Sequence, residues 1–524
     1  MIAVAALAAV WPALNGGFLW DDQQLILENG GVHGLDAARI GWMFSTLYMS
    51  TYQPLGWLAY AAIHSAAGLS PTAYHAVSLA LHAAAALLLF AAARRLFIEA
   101  GREDPVWPAA AAALLWAVHP IQTATVAWAT EIPDQLATIF FLAAILVYLT
   151  GRSPRRLGAA WLLFVCSGLS RWKGISLPLV LLVLDFYPLR RLRPRRGDPL
   201  DWGRRDVWGE KLAFAAVSVG ILFANSMAKA AVEFSPSLNL SAIARGVLLY
   251  PWKLIWPADL LPTYALQSPG DTLSLPGGPA SALVAAVTAW LVAARRRLPA
   301  ALAAWTCYIA AVAPPLMGAQ LGVQFALAHH AYLSSMGLFI LAGAALDRLR
   351  RAARPALAIG LAAAAALSWG VQSREFCAYW GDETLFWTRA LSIDRGCLTA
   401  YGNLGAVLVR SGRYNDAWFW LDRASRVDPR DPFARYNLIA LKNLAPGLKP
   451  DLVAFWIHMA ADQLRLGRLE DAARLCAKAL QRRPRSPEAH ETMAACLTAQ
   501  GLPGRAESHR AAAKLWRSRA APRD

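Results

Sequence analysis

Phe18-Leu19-Trp20-Asp21-Asp22 closes an apolar run over residues 2–19. Two adjacent carboxylates stand where a hydrophobic helix should leave the hydrocarbon region, just behind an aromatic residue of the kind that anchors helix ends at the interface. The run therefore reads as a membrane helix. Residues 20–55, as far as Gln53-Pro54-Leu55, are mixed polar and aromatic and read as an ordered loop. No basic segment precedes the run and no small-residue cleavage site comes before Trp20, which favours a retained first helix over a removed signal. Acids in the headgroup zone are often solvated loop residues or helix caps. Asp21 and Asp22 gain meaning only from the rest of the chain.

Composition points the same way. Of 524 residues 57% are hydrophobic and only 16% charged, too few charges for a soluble chain of this length. The 22 Trp suit two interfacial belts. A net charge of +17 would suit nucleic acid, but the arginines fall in short clusters between apolar segments, the positive-inside pattern, and no nucleic-acid partner is expected. Zinc-ligand spacing, a P-loop and a dinucleotide fingerprint are all missing. Cys166 and Cys307 lie in apolar stretches as packing residues. The spacing of Cys377, Cys397, Cys476 and Cys496 does not establish a disulfide.

Ten further apolar stretches lie near 72–96, 108–128, 133–150, 157–171, 174–189, 211–229, 279–294, 299–317, 324–346 and 354–371. Residues 240–257, inside a segment 230–278, carry Arg245, Lys253, two Trp and two Pro, which fits a helix lying in the interface better than one crossing it. Charge decides the count. With an inside N-terminus and eleven spans, Arg94-Arg95, Arg152/Arg155/Arg156, the 190–205 cluster, Arg295-Arg296-Arg297 and Arg348/Arg350/Arg351 all fall inside. A twelfth span would force the last two clusters out. The expectation is a multi-pass inner (cytoplasmic) membrane domain over 1–371, with residues 372–524 on the periplasmic side.

That topology gathers polar residues at the outer face. His75, Ser78 and His82 share one side of the second span, as a functional face or as helix–helix hydrogen-bonding glue. His119-Pro120, then Glu131 and Asp134, then Arg171-Trp172-Lys173, then His329-His330 with Tyr332 come from separate places. Their convergence says more than any one of them.

The C-terminal part changes character. Gly412-Arg413 with Ala417, Ala424 and Pro429 matches Gly467-Arg468 with Ala472, Ala479 and Pro484, and Gly501 with Ala506 comes 34 residues after Gly467 and Ala472. A 34-residue period with small residues at the helix crossings is the tetratricopeptide pattern. The first two glycines are 55 apart, so residues 432–452 are expected to hold an incomplete repeat with one helix and a Pro/Gly turn. Such arrays act as packing spacers or, more often, bind peptides and partner proteins. The fold class is all-α, a polytopic membrane domain followed by a helical solenoid.

In this order the chain resembles bacterial relatives of the transmembrane tetratricopeptide O-mannosyltransferases, within the C-type glycosyltransferase superfamily. The match is carried by Trp20-Asp21-Asp22 with Glu28-Asn29, Gln53-Pro54-Leu55 with Trp57, and Tyr74-His75 with His82. It continues through Ala117-Val118-His119-Pro120, Val126-Ala127-Trp128 with Glu131 and Asp134, Lys173, Leu177-Pro178 and Leu181 to Leu189. The resemblance implies transfer of a sugar from a polyprenyl-phosphate carrier to an acceptor protein or glycan outside the cytoplasm. It makes Asp21 and Asp22 the catalytic acid pair. A Glu-Arg-Lys-Asp pattern expected after the third span is Glu131-Ile132-Pro133-Asp134 here, and an expected arginine before the late tyrosine gives way to His329-His330. Either the phosphate is held differently or this member is a divergent, inactive form.

The residues fit this chemistry independently. A hydroxyl acceptor needs a base, and departing phosphate charge needs Lys173, Arg171 or protonated His329 and His330, with His75, His82, His119, Glu131 and Asp134 in support. Asp21 and Asp22 could instead hold a divalent cation; no other cofactor is implied. Two other classes compete: a non-catalytic membrane scaffold recruiting partners through its repeats, and a lipid-carrier or polysaccharide transporter. The transporter would favour discontinuous helices with polar midplane sites, which the sequence does not clearly show.

Overall fold

A computed structural model describes residues 1–192, 205–229, 240–265, 277–319, 324–352, 354–429 and 432–520. Most of the 190–205 arginine cluster and part of the 230–278 segment lie outside them. The described residues are helical nearly throughout; their strands are Thr263–Ala265 and Gln324–Leu327, paired antiparallel with Tyr264 opposite Ala326. The chain divides into two compact units between Gly381 and Asp382, and the helix Pro355–Tyr379 runs through the 371/372 position.

In the first unit five helices are long and apolar enough to cross a bilayer by length and composition: Pro71–Glu99, Ala129–Leu149, Asp206–Met227, Pro299–Met317 and Pro355–Tyr379. Two more candidates are bent pairs, Val106–Ala117 with Pro120–Val126 at 53° and Ala328–Ser334 with Met336–Arg351 at 59°. Ile2–Asn15 and Gly278–Ala293 are apolar but shorter. The stretches expected at 157–171 and 174–189 form helices Pro154–Ser170 and Leu177–Phe186, of 17 and 10 residues. Both fall short of the ~20 residues a full crossing needs. The count of full-length spans among the described residues is thus five, or seven with each bent pair taken as one, rather than eleven.

The bent pairs are discontinuous helices that the sequence did not clearly show. Pro120 has no N–H to continue the ladder, and His119 Nδ1 accepts the Ile121 N–H at 3.2 Å, so the chain turns there with its freed donor satisfied. The segment expected to lie in the interface forms the 16-residue helix Leu240–Ile255, not among the spanning helices, with Trp252, Ile255 and Trp256 exposed.

The first loop is more regular than its sequence suggested. It holds the helix Ala37–Ser45, whose N-cap Asp36 accepts the Arg39 N–H at 3.1 Å. A further helix, Pro54–Ala67, has no counterpart among the expected apolar stretches. Ile26, Val32, Met43, Trp57, Tyr60, Tyr74 and Ile132 form one core that fixes this loop on the bundle. At the other end of these helices Arg95 donates to the Leu149 carbonyl at 3.3 Å, Arg152 pairs with Asp206 at 3.0 Å and with Glu210, and Arg350 pairs with Asp104 at 2.7 Å. Nearby, buried Asp185 accepts from Tyr148 at 2.7 Å and pairs with Lys211 at 2.6 Å.

The second unit is a run of helices packed in sequence from Glu383–Ile393 to Pro503–Ala520. Gly412, Gly467 and Gly501 take φ of 73°, 71° and 74°, a left-handed turn between helices that glycine adopts without a Cβ clash. Ala417, Ala424, Ala472, Ala479 and Ala506 are buried at the crossings. The odd 21 residues hold one helix, Pro432–Leu444, and a turn through Pro446-Gly447, as their sequence indicated.

Candidate active site

The loop after the first helix is held by Asp22. Its Oδ2 accepts the Leu19 N–H at 3.1 Å, closing a turn in which Trp20 takes a φ of 53°. Its Oδ1 accepts the Thr130 N–H at 2.8 Å and the Thr130 hydroxyl. Tyr60 donates to the Thr130 carbonyl at 2.7 Å, and the Trp20 ring stacks on Trp128 with centroids 4.7 Å apart. Asp22, wholly buried, therefore fastens the loop to the turn Ala129–Glu131. Burial pushes its carboxyl up to about 7, against the opposing pull of the Thr130 and Leu19 donors. Neighbouring Asp21 is only half-buried; burial and the Glu131 charge raise it to about 6, with Arg171 acting the other way.

Next to this turn lies a buried ionic cluster. Arg171 stands 3.6 Å from Glu131 and 3.3 Å from Asp134, and also donates to Gln53. Lys173 pairs with Asp134 and stands 3.5 Å from Glu131; His329 Nδ1 lies 3.6 Å from Glu131. Glu131 and Asp134 sit one helical turn apart at the start of Ile132–Leu149, while Arg171 and Lys173 both lie in the break between Pro154–Ser170 and Leu177–Phe186. A small pocket bordered by the polar side chains of Asp134, Lys173, His329 and His330 also touches Ala311 and Leu333. Those last two residues also line an apolar cavity of about 160 Å³, which runs past Phe141, Val180 and Leu184 towards Tyr187.

The three remaining histidines are hydrogen-bonded to their surroundings. His75 Nε2 meets the Gly17 carbonyl at 3.3 Å; His82 meets the Tyr332 hydroxyl and the Ala117 carbonyl, both at 2.9 Å; His119 Nε2 meets the Leu254 carbonyl at 3.1 Å. Ser78 donates to the Val126 carbonyl at 2.7 Å. This is the gluing role, joining helices around the cluster and not lining it.

With that geometry in view, comparison with known proteins is informative. The human protein O-mannosyl-transferase TMTC2 is 30% identical over 185 residues, 34% of this chain and 21% of that protein. The mouse TMTC3 is 29% identical over 164 residues, 29% of this chain and 17% of its own length. The Caenorhabditis elegans protein O-mannosyl-transferase F38B6.6 is 29% identical over 197 residues, 34% of this chain and 26% of that protein. Over about a third of its length this chain is similar to the protein O-mannosyl-transferases. The matched region spans about a fifth of the human protein's length. No family model and no solved structure matches.

Two of the departures from the expected pattern lie at packed positions. Ile132 is wholly buried in the loop core, and Pro133 packs on Gly56, where an added Cβ would stand 2.8 Å from Pro133 Cγ. Arg171 and Lys173 bring two cations to the same acids from another segment. Sequence reasoning missed Thr130, Tyr60 and Gln53 as site-building residues. Gln53-Pro54-Leu55 carried a signal for Gln53, whereas nothing in the sequence marked Thr130.

Proposed function

We propose that this chain is a membrane glycosyltransferase that moves a sugar from a polyprenyl-phosphate carrier to a hydroxyl of an acceptor, most simply a protein, on the extracytoplasmic side. The observation that carries the reading is the buried ionic cluster adjoining an apolar cavity through Ala311 and Leu333. A donor with a long hydrocarbon tail and an anionic head needs these two environments in contact. The names of the relatives support a sugar donor and a protein acceptor.

In the reaction the acceptor hydroxyl attacks the anomeric carbon, the bond from that carbon to the phosphate oxygen breaks, and the acceptor proton passes to Asp21. A carboxyl poised at about 6 is ionised at neutral pH and basic enough to take that proton as the new bond forms. Lys173 and Arg171 offset the charge left on the polyprenyl phosphate. Asp22 keeps Asp21 in register by holding the loop on Thr130. The C-terminal helical unit gathers the acceptor.

If Lys173 carries phosphate charge, Lys173→Met should weaken donor binding at least ~tenfold with expression unchanged. Unchanged donor affinity would make Lys173 an interfacial residue whose ammonium only serves Asp134. Orientation is tested separately. Reporter fusions at Ala300 and Pro503 should read cytoplasm and periplasm, because only that arrangement keeps the late arginine clusters inside. A cytoplasmic signal at Pro503 would overturn the extracytoplasmic placement.

A further inference from the structure

We infer that Glu131, Asp134 and His329 form a divalent-cation site, in place of the Asp21–Asp22 pair that the sequence suggested as the alternative. One carboxylate oxygen from each acid and one imidazole nitrogen lie within 4.8 Å of one another, all three residues buried. Ligands on opposite sides of a small divalent ion stand about 4.2 Å apart, so little closure is required. A second observation points the same way. Among the described residues no donor makes a hydrogen bond to Glu131 Oε1 or Oε2, or to Asp134 Oδ1, although all are buried. Their neighbours are the ion-pair contacts of Arg171, Lys173 and His329 at 3.3–3.6 Å, besides the Lys173–Asp134 pair.

Charge also favours a cation. Asp21, Glu131 and Asp134 crowd one region against two permanent cations, Arg171 and Lys173. Asp22 spends its oxygens on Thr130 and Leu19 and has none directed at the cluster. Two carboxylates and one imidazole suit a first-row ion such as Mn2+ and leave positions open for water and a phosphate oxygen. Lys173 now occupies the acids. An ion binding there competes with its ammonium and releases it towards the donor phosphate. The site stands on its own geometry; this role for it rests on the transferase reading.

The test uses the full chain purified in detergent, with Mn2+ alone as probe and free Mn2+ counted by electron paramagnetic resonance. One ion per chain is expected, weakened at least ~tenfold in Glu131→Gln and in His329→Gln and retained in Asp21→Asn. Lys173→Met should bind Mn2+ at least ~tenfold more tightly, a gain that misfolding does not mimic. Absence of saturable binding in both the parent and Lys173→Met overturns the proposal, as does binding lost in Asp21→Asn but indifferent to His329. Sugar transfer that persists after EDTA has stripped the Mn2+ overturns the ion's role in the reaction and leaves the transferase standing. A chain that binds one Mn2+ but transfers no sugar supports the site and sinks the transferase.

Discussion

Asp21→Asn should lower sugar transfer at least ~100-fold while the folded protein persists, since a general base typically contributes about 10²–10⁴-fold. Asn keeps the size and much of the hydrogen bonding of Asp, and Asp21 is half-buried, so the change removes the base without opening a cavity. The parent's pH profile carries the same signature. Asp21 acts ionised, so transfer should fall as pH drops through about 6, where burial and Glu131 place its titration. The acidic limb with that midpoint should vanish from the residual activity of Asp21→Asn. Measurement needs only purified protein, a panel of polyprenyl-phosphate sugars and mass spectrometry of the acceptor. Transfer at the parent rate in Asp21→Asn would make the acid an ordinary loop residue. The scaffold and transporter readings would then move ahead, the latter no longer disfavoured by unbroken helices now that two bent pairs are present.

Asp22→Asn should differ in kind. Asp22 accepts three donors in a site without solvent, and the amide can accept them on one oxygen while its NH2 is turned on the others. A buried donor left unmet costs about 1–3 kcal/mol, so both stability and transfer should drop. Donor binding should suffer more than in Asp21→Asn, because the loop loses its attachment beside Glu131. Thr130→Val, which removes one donor from the other side, should reproduce part of the effect. Loss of transfer in Asp22→Asn with unchanged thermal stability would instead give Asp22 a direct part in the chemistry. Full activity together with full stability would mean that the Thr130 contact does not hold the loop.

The separation of these two roles could not be read from the sequence. Adjacent acids look alike there, and a resemblance assigns them as a pair. Only the fold shows that one carboxylate points at Thr130, 108 positions away, while the other keeps part of its surface open. The same holds for Arg171 and Lys173. Their positions near the outer face came from the alternation of apolar and basic segments, but their pairing with Glu131 and Asp134 depends on how two helix ends abut.

By itself the sequence determined the helical class, the membrane character, the change at the C-terminal unit and its 34-residue period. These rest on local composition and periodicity, which need no partner in space. It also determined the one-helix insert at 432–452, because a broken period leaves a countable remainder. The break at His119-Pro120 is likewise local, a proline beside a side chain that caps the N–H two residues on. Tertiary structure decided the break beside Ser335, the helix Pro54–Ala67 beneath the first loop, and the short helices where two full spans were expected. It also decided which acid is anchored, which acids face Lys173 and which histidines serve only as glue. Those outcomes hang on single hydrogen bonds and close contacts between residues tens to hundreds of positions apart, and periodicity carries no record of them.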